Sequence, residues 1–182
     1  MSAERNRILT QLSLVRYRRG DPTALDELTR LWSDTLFYYV MRLIGNEEDA
    51  WDVLQETWLS LIRGIGRLRR PGNVVAWLHK TARNKAMDRL REKYRLPTTP
   101  LDCEEFIEAD NGVEEFEHAE IVHSALARLS LSHREVLTLF FLQDLNLEEI
   151  SQVLATSTGT VKSRLHYAKR ALRAILEQEG FS

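Results

Sequence analysis

Apolar residues recur at helical spacing along almost the whole chain, and no run alternates as a half-buried strand would. Ile8, Leu12 and Val15 mark a first helix that ends near Gly20. Asp21-Pro22 then supplies a cap followed by proline at the first helical position. Behind it Leu25, Leu28, Leu31, Trp32, Leu36, Val40 and Leu43 keep the helical repeat as far as Gly45. Asn46 with Asp49 forms a capping pair that opens a third helix over about 47–63. Residues 64–72, GIGRLRRPG, read as a basic loop, and a fourth helix follows from about Asn73 to Tyr94.

LPTTP, residues 96–100, cannot continue that helix, because each proline disfavours helix in the residue before it. The stretch to about Gly112 is acidic and poor in large apolar residues, the composition of a flexible linker. Helical pattern resumes at Val113 and runs through Val122, Leu126 and Leu129. Ser132 with Glu135 and Asn146 with Glu149 have the spacing of capping boxes, and Ser157 is placed to cap a final long helix. The expected fold is all-α: a four-helix domain over 1–95, an acidic linker over 96–119 and a trihelical domain over 120–182.

The chain has 182 residues, 43% of them hydrophobic, enough for one respectable core or two small ones. Net charge is only −2, but the charge is segregated. Residues 63–95 hold eleven Lys and Arg against Asp88 and Glu92, and residues 96–127 hold nine acids and no base. Residues 150–176 carry Lys162, Arg164, Lys169, Arg170 and Arg173 with no acid. Charge of one sign concentrated on single elements is what phosphate binding requires. A single cysteine, Cys103, excludes an internal disulfide and suits a reducing cytosol. No apolar run reaches the ~18 residues of a membrane span. The N-terminus is interrupted by acid and polar residues and does not read as a signal peptide, so the expectation is a cytoplasmic protein.

The most specific stretch is SHREVLTLFFLQDLNLEEISQVLATSTGTVKSRLHYAKRAL, residues 132–172: short helices, a tight turn and a long basic helix. That is the layout of a helix-turn-helix, whose last helix enters the major groove. Val136, Leu139, Phe140, Leu147, Ile150, Val153, Leu154, Val161 and Leu165 supply its inward faces. The outward face of the last helix shows Thr158, Thr160, Lys162, Ser163, His166 and Lys169, short hydroxyls and bases able to reach base edges and phosphates. On the fourth helix Val74, Trp77, Leu78, Thr81 and Ala82 share one side, and Trp77 reads as core. Lys80, Arg83, Asn84, Met87 and Arg91 make a polar stripe that suits melted or single-stranded DNA. The third helix sets Glu48, Asp52, Gln55 and Glu56 opposite Ala50, Val53, Leu54, Trp58, Leu61 and Ile62. No phosphate loop, HExxH or GxSxG occurs. The histidines at 79, 118, 123, 133 and 166 are scattered, so no enzyme activity, metal or cofactor is expected.

These stretches together resemble the two-domain bacterial sigma factors of the extracytoplasmic-function (ECF) group of the sigma-70 family. DAWDVLQETWL (49–59) is similar to the segment that family writes close to AEDLVQETFL. VAWLHKTARNKAMDRLR (75–91) resembles its promoter-melting helix, and residues 131–172 resemble its C-terminal domain ending in GTVKSRLxRARxAL. The likeness covers roughly residues 20–95 and 120–176, in order. It implies a region 2-like domain over 1–95, a region 4-like domain over 120–182, and a protein that directs core RNA polymerase to promoter DNA. By position, Asp52, Gln55 and Glu56 would face the polymerase. Arg69, Arg70, Lys80, Arg83, Asn84 and Arg91 would read and open the −10 element, with Asn84 near a flipped-out base. Thr158, Thr160, Lys162, Ser163, Arg164 and His166 would face the −35 element. An anti-sigma factor is implied as a further partner.

The chain departs from the family pattern at three places. Ala155 and Thr156 stand where Gly and an apolar residue are common, Tyr167 replaces a common arginine, and RLRRPGN (67–73) lacks the usual phenylalanine. Two other readings fit part of the chain. A helix-turn-helix regulator that does not replace sigma has no need of DVLQETW or WLHKTARN. A sigma-like decoy for an anti-sigma factor should lose the bases Lys80, Arg83, Arg89 and Arg91, which are present here.

Overall fold

The computed structural model describes residues 2–65, 74–94 and 117–179, and every regular element among them is helical. Four helices precede the acidic segment: α1 (Ser2–Arg18), α2 (Thr23–Ile44), α3 (Glu47–Gly64) and α4 (Val74–Tyr94). Four follow it: α5 (Glu117–Ala127), α6 (Leu131–Leu137), α7 (Leu147–Leu154) and α8 (Thr158–Gln178). Between α6 and α7 the chain widens into a π-helical turn, Thr138–Leu142.

Local chemistry explains most of the boundaries. Asp21 Oδ1 accepts the Thr23 backbone N–H at 3.0 Å, so the aspartate caps α2 although the helix starts one residue beyond Pro22. Gly45, at φ 70°, closes α2 by giving its N–H to Met41 O, a left-handed turn that glycine adopts without a Cβ penalty. Asn46 accepts from the Asp49 N–H at 2.9 Å and opens α3. The full capping box at Asn146 and Glu149 opens α7, and Ser157 accepts the Thr160 N–H at 3.0 Å to open α8. α7 ends at Ala155 with φ 51°, where an L-residue costs about 1 kcal/mol that glycine would avoid.

One expected cap does not form. Ser130, not Ser132, accepts the His133 N–H, and Glu135 turns inward to become almost fully buried. A buried carboxylate needs partners, and it finds them in Tyr39 of α2 and Arg83 of α4.

The core of the first four helices is Leu28, Trp32, Leu36, Tyr39, Val40 and Leu43 of α2, packed on Ala50, Val53, Leu54 and Leu61 of α3. Val74, Leu78, Ala82, Ala86, Met87 and Leu90 of α4 complete it. Each large side chain so buried contributes about 1.5–3 kcal/mol. Met87, expected on the polar stripe of α4, thus belongs to the core, because α4 is covered on two sides. α1 packs on α2 with an inverted face: Thr10, Ser13 and Leu14 are buried, while Ile8, Leu12 and Val15 are 61%, 52% and 38% exposed. Trp32 Nε1 donates to Thr10 Oγ1 at 2.8 Å, and Ser13 Oγ donates to Glu27 at 3.0 Å, so polar pairs hold the helix down.

In the second half, Val136, Leu139, Ile150, Val153, Leu154, Val161 and Leu165 bury as the helix-turn-helix pattern predicts, and Leu145 and Ala168 join them. Phe140 and Leu147 are partly buried against them. The halves do not sit apart. α4 packs along α7, α2 meets α6, and one apolar cluster runs through both.

Candidate nucleic-acid and polymerase interfaces

On α3, Asp52, Gln55 and Glu56 are exposed, as the helical repeat requires. The acids are tied to α4: Arg89 Nη2 lies 3.1 Å from Asp52 Oδ2, and Lys85 Nζ lies 2.9 Å from Glu56 Oε2. Asp49 adds longer pairs to Arg89 and Lys93. Solvated pairs of this kind are worth at most about 1 kcal/mol each, so a partner can exchange them cheaply. Beside the acids stand Trp51, Leu59 and Ile62, exposed by 44%, 49% and 44%. Ile62, expected to point inward, sits at the edge of the core stripe of Val53, Leu54, Leu61 and Ile65, so its side chain stays in water. Trp51 lies over Phe37 of α2 with ring centroids 4.3 Å apart. Apolar groups held in water and rimmed by charge mark a protein-binding face. The spacing 51, 55, 59 and 62 was the available signal for it, since these positions share one stripe of a helix.

On α4, Lys80 and Asn84 are exposed, and Arg91 is paired with Asp88 at 2.9 Å one turn away. Trp77 is half-buried against the core. Arg69 and Arg70 lie outside the described residues. Arg83 is engaged elsewhere: its Nε donates to Glu135 Oε1 at 2.7 Å and its Nη2 to Oε2 at 3.3 Å. Tyr39 Oη donates to the same Oε1 at 2.9 Å. Burial tends to lower the Arg83 pKa, but the Glu135 charge and hydrogen bond outweigh it and the net shift is upward. Burial, joined by the Glu135 charge, drives Tyr39 far above the usual tyrosine range. Arg83 therefore stays a cation and Tyr39 a neutral phenol.

His79, one turn before Arg83, is fully buried between the halves. Its Nδ1 lies 2.9 Å from Val75 O and its Nε2 lies 3.0 Å from Gln143 Oε1. Desolvation lowers its pKa, against the smaller effects of those hydrogen bonds. A neutral ring donating from Nδ1 leaves Nε2 as an acceptor, which the Gln143 amide satisfies once turned to present its nitrogen.

On α8 the picture is simpler. Thr158, Thr160, Lys162, Ser163 and His166 are exposed, Arg164 is half-buried, and Lys169 and Arg170 face solvent. The helix begins at a capped N-terminus whose free N–H groups favour anions. Ser163 Oγ donates to Gly159 O at 3.1 Å, and Thr160 Oγ1 lies 2.9 Å from Ser157 Oγ, which fixes the first turn. Tyr167, at the position where arginine is common, is exposed and edge-on to His166.

Among the described residues no group of three His, Cys, Asp or Glu is placed to hold a metal ion, and no helix is long and apolar enough to cross a membrane. His123 pairs with Tyr38 Oη at 3.0 Å, while Cys103 lies outside the described residues.

A capped basic helix packed on a trihelical unit with its bases in solvent is the layout of a helix-turn-helix DNA-binding protein, here joined to a second helical unit that exposes apolar side chains among acids. The Sigma-70 region 2 family model matches residues 28–96, and the Sigma-70 region 4 model matches residues 125–174. The chain is 36% identical over 151 residues to the ECF RNA polymerase sigma factor SigL of Mycobacterium tuberculosis, covering 80% of this chain and 84% of that protein. It is 32% identical over 170 residues to the ECF sigma factor SigE of Mycolicibacterium smegmatis, covering 88% of this chain and 66% of SigE. The structure of CnrH in complex with the cytosolic domain of CnrY superposes with a TM-score of 0.69 at 24% identity, covering 93% of this chain and 98% of that one. That likeness establishes the fold. The chain belongs to the ECF RNA polymerase sigma factors of the sigma-70 family.

Proposed function

We propose that this sigma factor acts through three separate surfaces of its own chain. The exposed face of α3, with Asp52, Gln55 and Glu56 beside Trp51, Leu59 and Ile62, docks on core RNA polymerase. Helix α4 contributes Lys80, Arg83, Asn84 and Arg91, with Arg69 and Arg70 before it, to reading and opening the −10 element. Helix α8 contributes Thr158, Thr160, Lys162, Ser163, Arg164 and His166 to the −35 element. Residues 1–95 and 120–182 are the two working units. The protein supplies recognition and the polymerase supplies catalysis, so the site of action is the cytoplasm. An anti-sigma protein is the expected regulator.

The feature that supports this reading is that one chain carries both a face of acids and exposed apolar side chains on α3 and a solvent-exposed basic face on α8. A regulator that leaves sigma in place needs only the second. The test is gel filtration of the purified protein with bacterial core RNA polymerase. Co-elution that disappears in the Asp52→Lys, Glu56→Lys double variant is expected. Absence of a complex, with a control sigma factor binding well, would leave a free-standing regulator or a decoy.

A further inference from the structure

Helix α1 is fixed to the fold by polar contacts and turns its own apolar stripe to water. Thr10 Oγ1 accepts from Trp32 Nε1 at 2.8 Å. Ser13 Oγ donates to Glu27, and Arg16 donates to both Glu27 and Asp21 at 2.7 Å. Nearer the N-terminus Arg7 reaches the Glu149 carboxylate, with one bond of 2.8 Å, and donates to Asp144 O at 3.0 Å. Turning Ile8, Leu12 and Val15 inward would break these contacts. Their exposure is thus built into the fold, and a contiguous apolar stripe in water marks an interaction surface.

The stripe has a definite register. Arg5, Ile8, Leu12, Val15 and Arg19 follow one another at steps of three, four, three and four residues, the seam of a coiled coil. Arg19 lies just beyond α1, but its N–H still bonds Val15 O at 3.2 Å and continues the turn. The seam is therefore apolar in the middle and cationic at both ends. Arg5 and Arg19 are exposed, whereas Arg7 and Arg16 are engaged by carboxylates of the fold. α1 itself carries four arginines and a single acid, Glu4.

That pattern selects the occupant. A second copy laid antiparallel, Leu12 on Leu12, sets Arg5 against Arg19 at both ends. Laid parallel, it sets each arginine against its own counterpart. Like charges facing across a helix pair oppose association. The three apolar side chains also expose only on the order of 300 Å², well short of the ~800 Å² that each partner of a stable dimer buries. An anionic membrane would answer the charge, but interfacial helices carry a broad apolar face with aromatic anchors, and this seam has three aliphatic residues. A helix from another protein, apolar at the same spacing and acidic at the seam ends, answers both the charge and the size.

We propose that α1 is a docking helix: Ile8, Leu12 and Val15 receive one amphipathic helix of a partner protein, and Arg5 and Arg19 fix its register through Asp or Glu set opposite them. The exposed acids lie on α3 and the basic recognition set on α8, while α1 packs along α2. A partner helix on α1 therefore holds the protein without covering either surface. The contact is small, so it is weak and reversible alone and serves as a handle for a partner that makes further contacts.

The experiment uses full-length protein and two fluorescent synthetic helices with leucines at the i, i+4, i+7 spacing. One is bordered at the seam ends by glutamate and the other by lysine. Anisotropy should show the glutamate helix bound about tenfold more tightly than the lysine helix. Leu12→Ser, at an exposed position, should weaken that binding about tenfold and leave the melting temperature within about 2 °C. Arg5→Glu with Arg19→Glu should reverse the preference between the two helices, which loss of an apolar contact alone would not do. Absence of binding, equal binding of both helices, or binding indifferent to Leu12 would overturn the proposal. So would Leu12-dependent binding to vesicles of anionic lipid in place of the helix, or a Leu12-dependent dimer in analytical centrifugation. A glutamate helix that binds only after residues 101–112 are deleted would give the stripe to the chain's own acidic segment, and would sink the idea equally.

Discussion

Helices α4 and α8 are both basic, both amphipathic and both of a length to lie along nucleic acid, yet the fold treats them differently. On α8 the bases project from one solvated face, and Arg173 with Glu177 is the pair formed near its far end. On α4 Lys85 and Arg89 are paired with α3, Arg91 with its own helix, and Arg83 with a buried carboxylate from the other half. Equal charge in the sequence therefore means unequal availability in space. A helix at the edge of its domain keeps its charges for a partner. One sandwiched between two packed surfaces spends them on its neighbours.

The contrast can be broken most sharply at Arg83. Arg83→Ala leaves Glu135 buried with only the Tyr39 hydroxyl, and the expected cost is about 3 kcal/mol of stability, read by urea denaturation. A loss below about 0.5 kcal/mol would mean that water fills the gap and that the Arg83–Glu135 pair contributes little.

Acidification should act next, again on the α4 side. The His79 pKa lies below 6.5 because burial disfavours the cation. The unfolded chain then takes up a proton that the native one refuses. Stability should be level above about pH 6.5 and fall as the pH drops from there towards the lowered value. Below 4.5 protonation of Glu149, whose pKa is also lowered, adds a second loss. Thermal melts at pH 8, 6 and 5 check this, and a flat melting temperature across them would show His79 to be hydrated.

The smallest effect on stability is expected on α8. Lys162→Ala should change it by less than about 0.5 kcal/mol, while reducing the salt slope of duplex DNA binding by about one. Equal losses of stability at Lys162 and Arg83 would erase the distinction between the helices.

Much of the candidate site was legible because it depends on neighbours in the chain. The capping groups Asn46, Asn146 and Ser157 act on N–H groups within three residues. The outward set on α8 follows from the helical repeat, with Val161, Leu165 and Ala168 facing in. Reading failed where two surfaces competed for one residue. Glu135 has capping-box spacing from Ser132, but a buried guanidinium and phenol draw it inward. Met87 shares a stripe with Arg83 and Asn84, but the core claims it. Ile62 lies at the edge of the α3 apolar stripe, and the fold covers Leu61 and Ile65 instead.

The sequence by itself determined eight helices' worth of periodicity, the helix-turn-helix and its exposed basic face, and the family resemblance, because each rests on short-range spacing and residue type. Tertiary structure decided which charges are free, which apolar groups stay in water, and that the two halves close on one another. Those outcomes hang on pairs such as Arg83 with Glu135 and Arg7 with Glu149, 52 and 142 residues apart. Local propensity has no reach over such separations, and only the packing of whole helices brings the partners within a hydrogen bond.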